Sequence, residues 1–95
     1  MLELVWALNP LSSFRWRRWD DDWVVFDAGS GSTHQVDALT AVTLMCLECG
    51  PSDLSNLEEQ IAEELELPRG EKLSRVLRGV IERVHALGLI EPITQ

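Results

Sequence analysis

The sequence predicts an α+β fold in the order β-β-β-α-α-α. Aromatic and β-branched residues dominate two segments before residue 27, helical apolar spacing takes over after residue 37, and turn chemistry separates the segments. A chain of 95 residues is expected to form a single domain over 1–95 with one modest core. At this size about 60–65% of the unfolded surface is buried.

Phe14-Arg-Trp-Arg-Arg-Trp19 alternates, which puts Phe14 and Trp16 on one face of a strand and Arg15 and Arg17 on the other. Asp20-Asp-Asp22 is a polar break with turn chemistry. Trp23-Val-Val-Phe26 is aromatic and β-branched, a second strand. Ala28-Gly-Ser-Gly31 supplies the permissive backbone of another turn, and Ser32-Thr-His-Gln-Val36 fits a short, polar edge strand. The three make an antiparallel meander, and Leu4 to Leu8 is a candidate additional strand ahead of Pro10.

Three helices follow. Asp37 is placed to cap a helix over Ala38–Glu48, where Leu39, Val42, Met45 and Cys46 recur at helical spacing before Gly50-Pro51 stops it. Ser55 and Glu58 have capping-box spacing at the start of an acidic helix carrying Leu57, Ile61 and Leu65, ended by Pro68. The third helix runs from about Glu71 to Leu87 on a stripe of Leu73, Leu77, Val80, Val84 and Leu87, with Gly88 as its left-handed cap. Leu89-Ile-Glu-Pro92 reads as a short extended tail.

Composition narrows the function classes. The chain is 45% hydrophobic and 25% charged, which excludes general disorder. No apolar run approaches the roughly 20 residues of a membrane span. The N-terminus carries Glu3 and no basic flank, unlike a signal peptide, so a cytoplasmic location is expected. Net charge is −8, and from Trp19 to Pro68 there are twelve acids and no Lys or Arg. That balance argues against nucleic acid, whose binding rests on clustered cations.

No catalytic residue is expected, and no cofactor or metal. Cys46-Leu-Glu-Cys49 lies at a helix C-terminus beside Glu48, where a thiolate is disfavoured, so both thiols read as buried or half-buried bystanders. Two cysteines and the distant His34 and His85 do not make a structural zinc site, which wants four ligands. Gly29-Ser-Gly-Ser-Thr33 lacks the lysine of a phosphate loop and sits between strands, so it is a hairpin turn. Trp6, Trp16, Trp19 and Trp23 read mainly as core, with Trp6 or Trp19 left to meet a partner.

The third strand and the third helix together suggest a binding groove. An edge strand offers unpaired N–H and C=O groups, and Ser32 to Val36 carries neither Lys nor Pro to block pairing. A peptide can add there as a further strand, with the last helix as the second wall. On a helical wheel the flank beside the core stripe carries Lys72, Val76, Gly79 and Arg83. Gly79 costs about 1 kcal/mol against Ala inside a helix, so close approach by another backbone or by a crossing helix is expected there. Lys72 and Arg83 suit acidic guest side chains, and Val76 an apolar one. The rival reading is a winged-helix DNA-binding regulator, with Arg69, Lys72, Arg75 and Arg78 meeting phosphates and bases.

Phe14-Arg-Trp-Arg-Arg-Trp-Asp20, Trp23-Val-Val-Phe26, His34-Gln-Val-Asp-Ala-Leu39, Leu57-Glu-Glu-Gln-Ile-Ala-Glu-Glu-Leu65 and Leu87-Gly-Leu-Ile90 resemble the PqqD-like family. With Trp6-Ala-Leu-Asn-Pro10 the similarity points to its branch of HPr-rel-A system PqqD family peptide chaperones. The resemblance spans essentially the whole chain as a distributed pattern. It implies a winged-helix-like RiPP recognition element, a non-catalytic module that binds a precursor (leader) peptide and presents it to a peptide-modifying enzyme. It also implies a guest on Ser32, Thr33, His34, Gln35 and Val36, facing Lys72, Val76, Gly79 and Arg83. The polar third strand departs from the more apolar one of PqqD itself. An open edge also leaves room for a homodimer by strand exchange.

Overall fold

A computed structural model describes residues 4–93; residues 1–3, on which the reading of the N-terminus partly rested, lie outside them. The meander is present as expected. Strands β2 (Phe14–Trp19), β3 (Asp22–Asp27) and β4 (Ser32–Val36) form an antiparallel sheet in the order β2-β3-β4. Asp20 opens the first hairpin in the left-handed region (φ 55), which aspartate tolerates, and Gly31 (φ 77) closes the second. The register puts Trp16, Val25 and His34 across one face and Arg15, Phe26 and Thr33 across the other. Val25 is fully buried on the inner face, where Trp16 meets both Phe14 and Trp23 edge-on.

A second sheet was only partly legible. Strand β1 (Val5–Leu8), the additional strand anticipated at Leu4–Leu8, lies between β5 (Ser52–Asp53) and β6 (Ile90–Ile93), both antiparallel to it. The tail read as merely extended is thus a paired strand, with Pro92 opposite Trp6 on the sheet's edge. Such short strands carry too little alternation to declare themselves, and their partners are distant in sequence.

Helix α1 (Ala38–Glu48) is capped by Asp37, whose carboxylate accepts from the Thr40 N–H at 2.8 Å. Its buried residues are Thr40, Ala41, Thr43, Leu44 and Leu47, while Leu39, Val42, Met45 and Cys46 are only partly covered. The helix contacts α2, α3, β1 and β3, so it is apolar nearly all round and shows no single stripe. Helix α2 (Leu54–Glu64) starts one residue before the expected capping box: Asp53, not Ser55, is its N-cap, accepting from Asn56 N–H at 2.8 Å. Glu58 is buried instead and accepts from the Ser74 hydroxyl, tying α2 to α3. Helix α3 (Glu71–Ala86) ends as expected at Gly88 (φ 77), where Gly88 N–H reaches His85 O and Leu89 N–H reaches Val84 O. Leu44, Leu47, Leu57, Ile61, Leu77, Ile81, Val84, Leu89 and Ile90 form the core, with Trp6, Phe14 and Trp16 packed against it.

Asp27 fastens the loop after β1 to the β3–β4 hairpin. Its carboxylate is 3% exposed and accepts from the N–H groups of Ser13 and Gly29 and the hydroxyls of Ser12 and Ser30. Burial alone pushes its pKa up, but these four bonds outweigh it and hold the carboxyl below 3.8. A depressed folded pKa adds stability that is complete above 3.8 and is lost as pH falls through the lower folded value. Asp27→Asn should cost about 2 kcal/mol at neutral pH, by opposing an amide donor to existing donors. It should also flatten the acid limb of a denaturant–pH series; an unchanged acid limb would assign that limb to other carboxylates.

Candidate functional site

The open margin of β4 has a defined backbone polarity. Ala28 N–H donates to Ser13 O at 2.8 Å, so Ala28 faces β2, and the alternation of an antiparallel ladder turns Asp27, Val25 and Trp23 toward β4. Their partners in register are Ser32, His34 and Val36. The intervening Thr33 and Gln35 therefore aim their N–H and C=O groups outward, and among the described residues no strand pairs with that edge. The Gln35 side chain leans back over the sheet and donates to Asp22 at 2.8 Å.

Beside this edge lies a groove of ≈ 300 Å³ walled by Thr33, His34, Gln35 and Val36 on one side and Arg83, Val84 and Leu87 on the other, with Asp37 and Thr40 at the α1 end. A second hollow of ≈ 250 Å³, formed by Leu39, Leu67, Pro68, Lys72, Leu73 and Val76, is nearly all apolar. It lies about two to three turns earlier along α3 than Arg83. Four of the five strand residues singled out from the sequence thus share one hollow with Arg83, and Lys72 and Val76 share the other. Ser32 falls instead beside the Asp27 loop, in a hollow it shares with His34 and Leu87. Gly79 is exposed on α3, and a Cβ there would meet nothing within 4 Å. Close crossing by a helix of this chain is therefore not the reason for that glycine.

Leu87 is the main residue the sequence reading misplaced. Helical spacing puts it on the core stripe, yet it is 49% exposed and lines the groove. Position 87 follows Arg83 by one turn, on the same flank as Val76, and that spacing was the available signal. Leu39, Leu67 and Pro68 were also missed, because α1 and the α2–α3 connection reach the groove only through tertiary packing.

The groove is lined by one charge of each sign, Asp37 and Arg83. Burial raises the Asp37 pKa, but the Thr40 hydroxyl and N–H and the positive charge of Arg83 outweigh it and favour the carboxylate. The Thr40 hydroxyl is buried and, although near enough to favour that charge, does not complete a well-formed hydrogen bond. Arg83 thus favours the Asp37 carboxylate through its charge without forming an ion pair within 4.0 Å among the described residues. Of the cations proposed for DNA contact, Arg75 pairs with Glu71 at 3.7 Å and Arg78 lines an apolar cleft with Trp6, Ile81 and Glu82.

The cysteines lie away from this groove. Cys46 is half-buried and Cys49 is exposed, which corrects the expectation that both are covered. Burial pushes the Cys46 thiol up, and Cys49 and Glu64 push it further in the same direction, the opposite of an activated thiolate. Glu48, expected beside the thiols, instead accepts from Trp16 Nε1 at 2.7 Å. Trp6 stacks edge-on with His85 at 5.2 Å and packs on the core, whereas Trp19 is 62% exposed.

No protein-family model matches this sequence, and no curated protein matches it. Among solved structures it is similar to TbiB1, solved in complex with the TbiA(beta) leader peptide. The similarity covers 94% of this chain and 99% of that one, at 18% identity and a TM-score of 0.64. Over nearly the full length of both molecules, the two chains share one α+β fold.

Proposed function

We propose that this chain is a non-catalytic module that captures a precursor (leader) peptide as an added strand and presents it to a peptide-modifying enzyme. The observation that carries the reading is the outward polarity of Thr33 and Gln35 on an unpaired edge, with the α3 groove alongside. Backbone pairing supplies affinity at such an edge, and side-chain hollows supply selectivity. Thr33 to Val36 form the strand side; Arg83 and Leu87 grip one part of the guest, and Lys72 and Val76 another. Ser32 marks the end of the edge. A fold shared with a protein solved in complex with a leader peptide supports a leader peptide as the guest.

Titration of the labelled chain with leader peptides encoded by neighbouring genes tests this. Amide shifts should concentrate in β4 and along the Lys72–Leu87 flank of α3. Shifts confined to α2 or to the Cys46 region would end the proposal. Cys46→Ser and Cys49→Ser should leave affinity unchanged.

Gly79 offers a sharper discrimination. Gly79→Ala should raise stability by about 1 kcal/mol, because its Cβ meets no neighbour and the helix gains propensity. If a guest backbone approaches α3 there, the same variant should bind more weakly despite folding better. Equal or tighter binding would remove Gly79 from the contact surface.

A further inference from the structure

The outer face of the meander points away from the helical core and meets the groove wall at Thr33 and Gln35. Its register sets Arg15 beside Phe26 and Thr33, and Arg17 beside Val24 and Gln35. Phe26 is 39% exposed, and a shallow hollow of ≈ 490 Å³ runs among Arg15, Arg17, Val24, Phe26 and Thr33. Trp19 extends the apolar surface at the end of β2. Among the described residues neither arginine has an acidic partner within 4.0 Å, although the chain carries sixteen acids. Arg18, by contrast, lies over the Trp23 ring at 5.7 Å and is not part of this face.

We propose that this face docks an acidic amphipathic helix of a partner protein. The apolar centre, Val24 and Phe26, matches the apolar stripe of such a helix, and the guanidiniums of β2 match carboxylates flanking that stripe. Arginine and aromatic side chains are the types that anchor interfaces, and here they sit adjacent on rigid strands. The chain's overall acidity favours a protein over a nucleic acid: two arginines neutralise few phosphates inside a field of net −8. Because β4 contributes Thr33 to this face and its margin to the groove, a docked helix would lie next to any strand added there. The two surfaces share Thr33, but Arg15, Arg17, Val24 and Phe26 line only the outer one, so this inference goes beyond the peptide-capture reading and does not depend on it.

The test uses the full chain and a synthetic helical peptide of Glu, Ala and Leu, with Leu at every third or fourth position. Amide and Arg Nε resonances of Arg15, Arg17, Val24 and Phe26 should shift, and affinity should fall as salt rises. Arg15→Glu with Arg17→Glu should weaken binding about tenfold or more while leaving leader-peptide binding in the groove unchanged. Phe26→Ser should weaken it with the salt dependence retained. Circular dichroism confirms folding, which exposed side chains at these positions leave intact. Shifts confined to the α3 groove, no shifts at all, or equal binding of a Lys-for-Glu peptide would overturn the proposal. Tighter binding of an oligothymidylate to the same face would overturn it in favour of a nucleic-acid partner.

Discussion

Gln35→Pro should abolish most peptide capture while leaving the domain folded. The Gln35 N–H aims at the open edge, so removing it breaks no bond within the meander. Proline is tolerated on edge strands, and it restricts the preceding His34 to the extended region that His34 already occupies. Among the described residues the only hydrogen bond lost is the exposed one from the Gln35 amide to Asp22, so the melting temperature should change little. A guest strand loses a donor worth about 1 kcal/mol and also meets the pyrrolidine ring in its path. Together these should weaken binding by about tenfold to a hundredfold, read by calorimetry. His34→Pro is the matching control: its N–H faces β3, so that variant should damage the sheet itself. Unchanged affinity in folded Gln35→Pro would mean that the guest does not pair with this edge.

The largest stability loss should come from Gly29→Ala. A Cβ built at Gly29 would lie 1.6 Å from the Leu11 carbonyl oxygen, a backbone atom that cannot swing aside. The loop before β2 or the β3–β4 hairpin would have to move, disturbing the Asp27 bonds to Ser13 and Gly29. About 3 kcal/mol or more is expected, at the upper end of single-substitution effects. Gly31→Ala, two residues later, meets nothing within 4 Å and pays only for its left-handed backbone, about 1–2 kcal/mol. Chemical denaturation of the two variants separates these causes. If both lose the same amount, backbone conformation rather than close approach explains Gly29. A variant that stays folded should also bind guests less well, because this hairpin delivers the first residues of β4 to the edge.

Local chemistry was legible wherever it was strong. Alternation around Trp16, the aromatic and β-branched run at Trp23–Phe26, the Asp37 cap, the Gly88 cap and the α3 stripe from Leu73 to Val84 could all be read residue by residue, and all stand in the structure. The acidic cap of α2 was misread because Asp53 and Ser55 are both good N-caps. Pairing of Ser52–Asp53 with β1 supports the start at Leu54. On its own, then, the sequence determined the order of the main elements, the polar character of the β4 edge and the cationic flank of the last helix.

Tertiary structure decided what a one-dimensional pattern does not encode. It recruited Leu39, Leu67 and Pro68 to a groove wall, moved Leu87 from core to surface, and joined the two ends of the chain in a sheet. It also determined which backbone groups of β4 face outward, since that polarity follows from the register against β3 and not from side-chain identity. Side-chain periodicity reports which way each residue points within its own element. Grooves and open edges depend on how distant elements are set against one another, and that relation exists only once the core has closed.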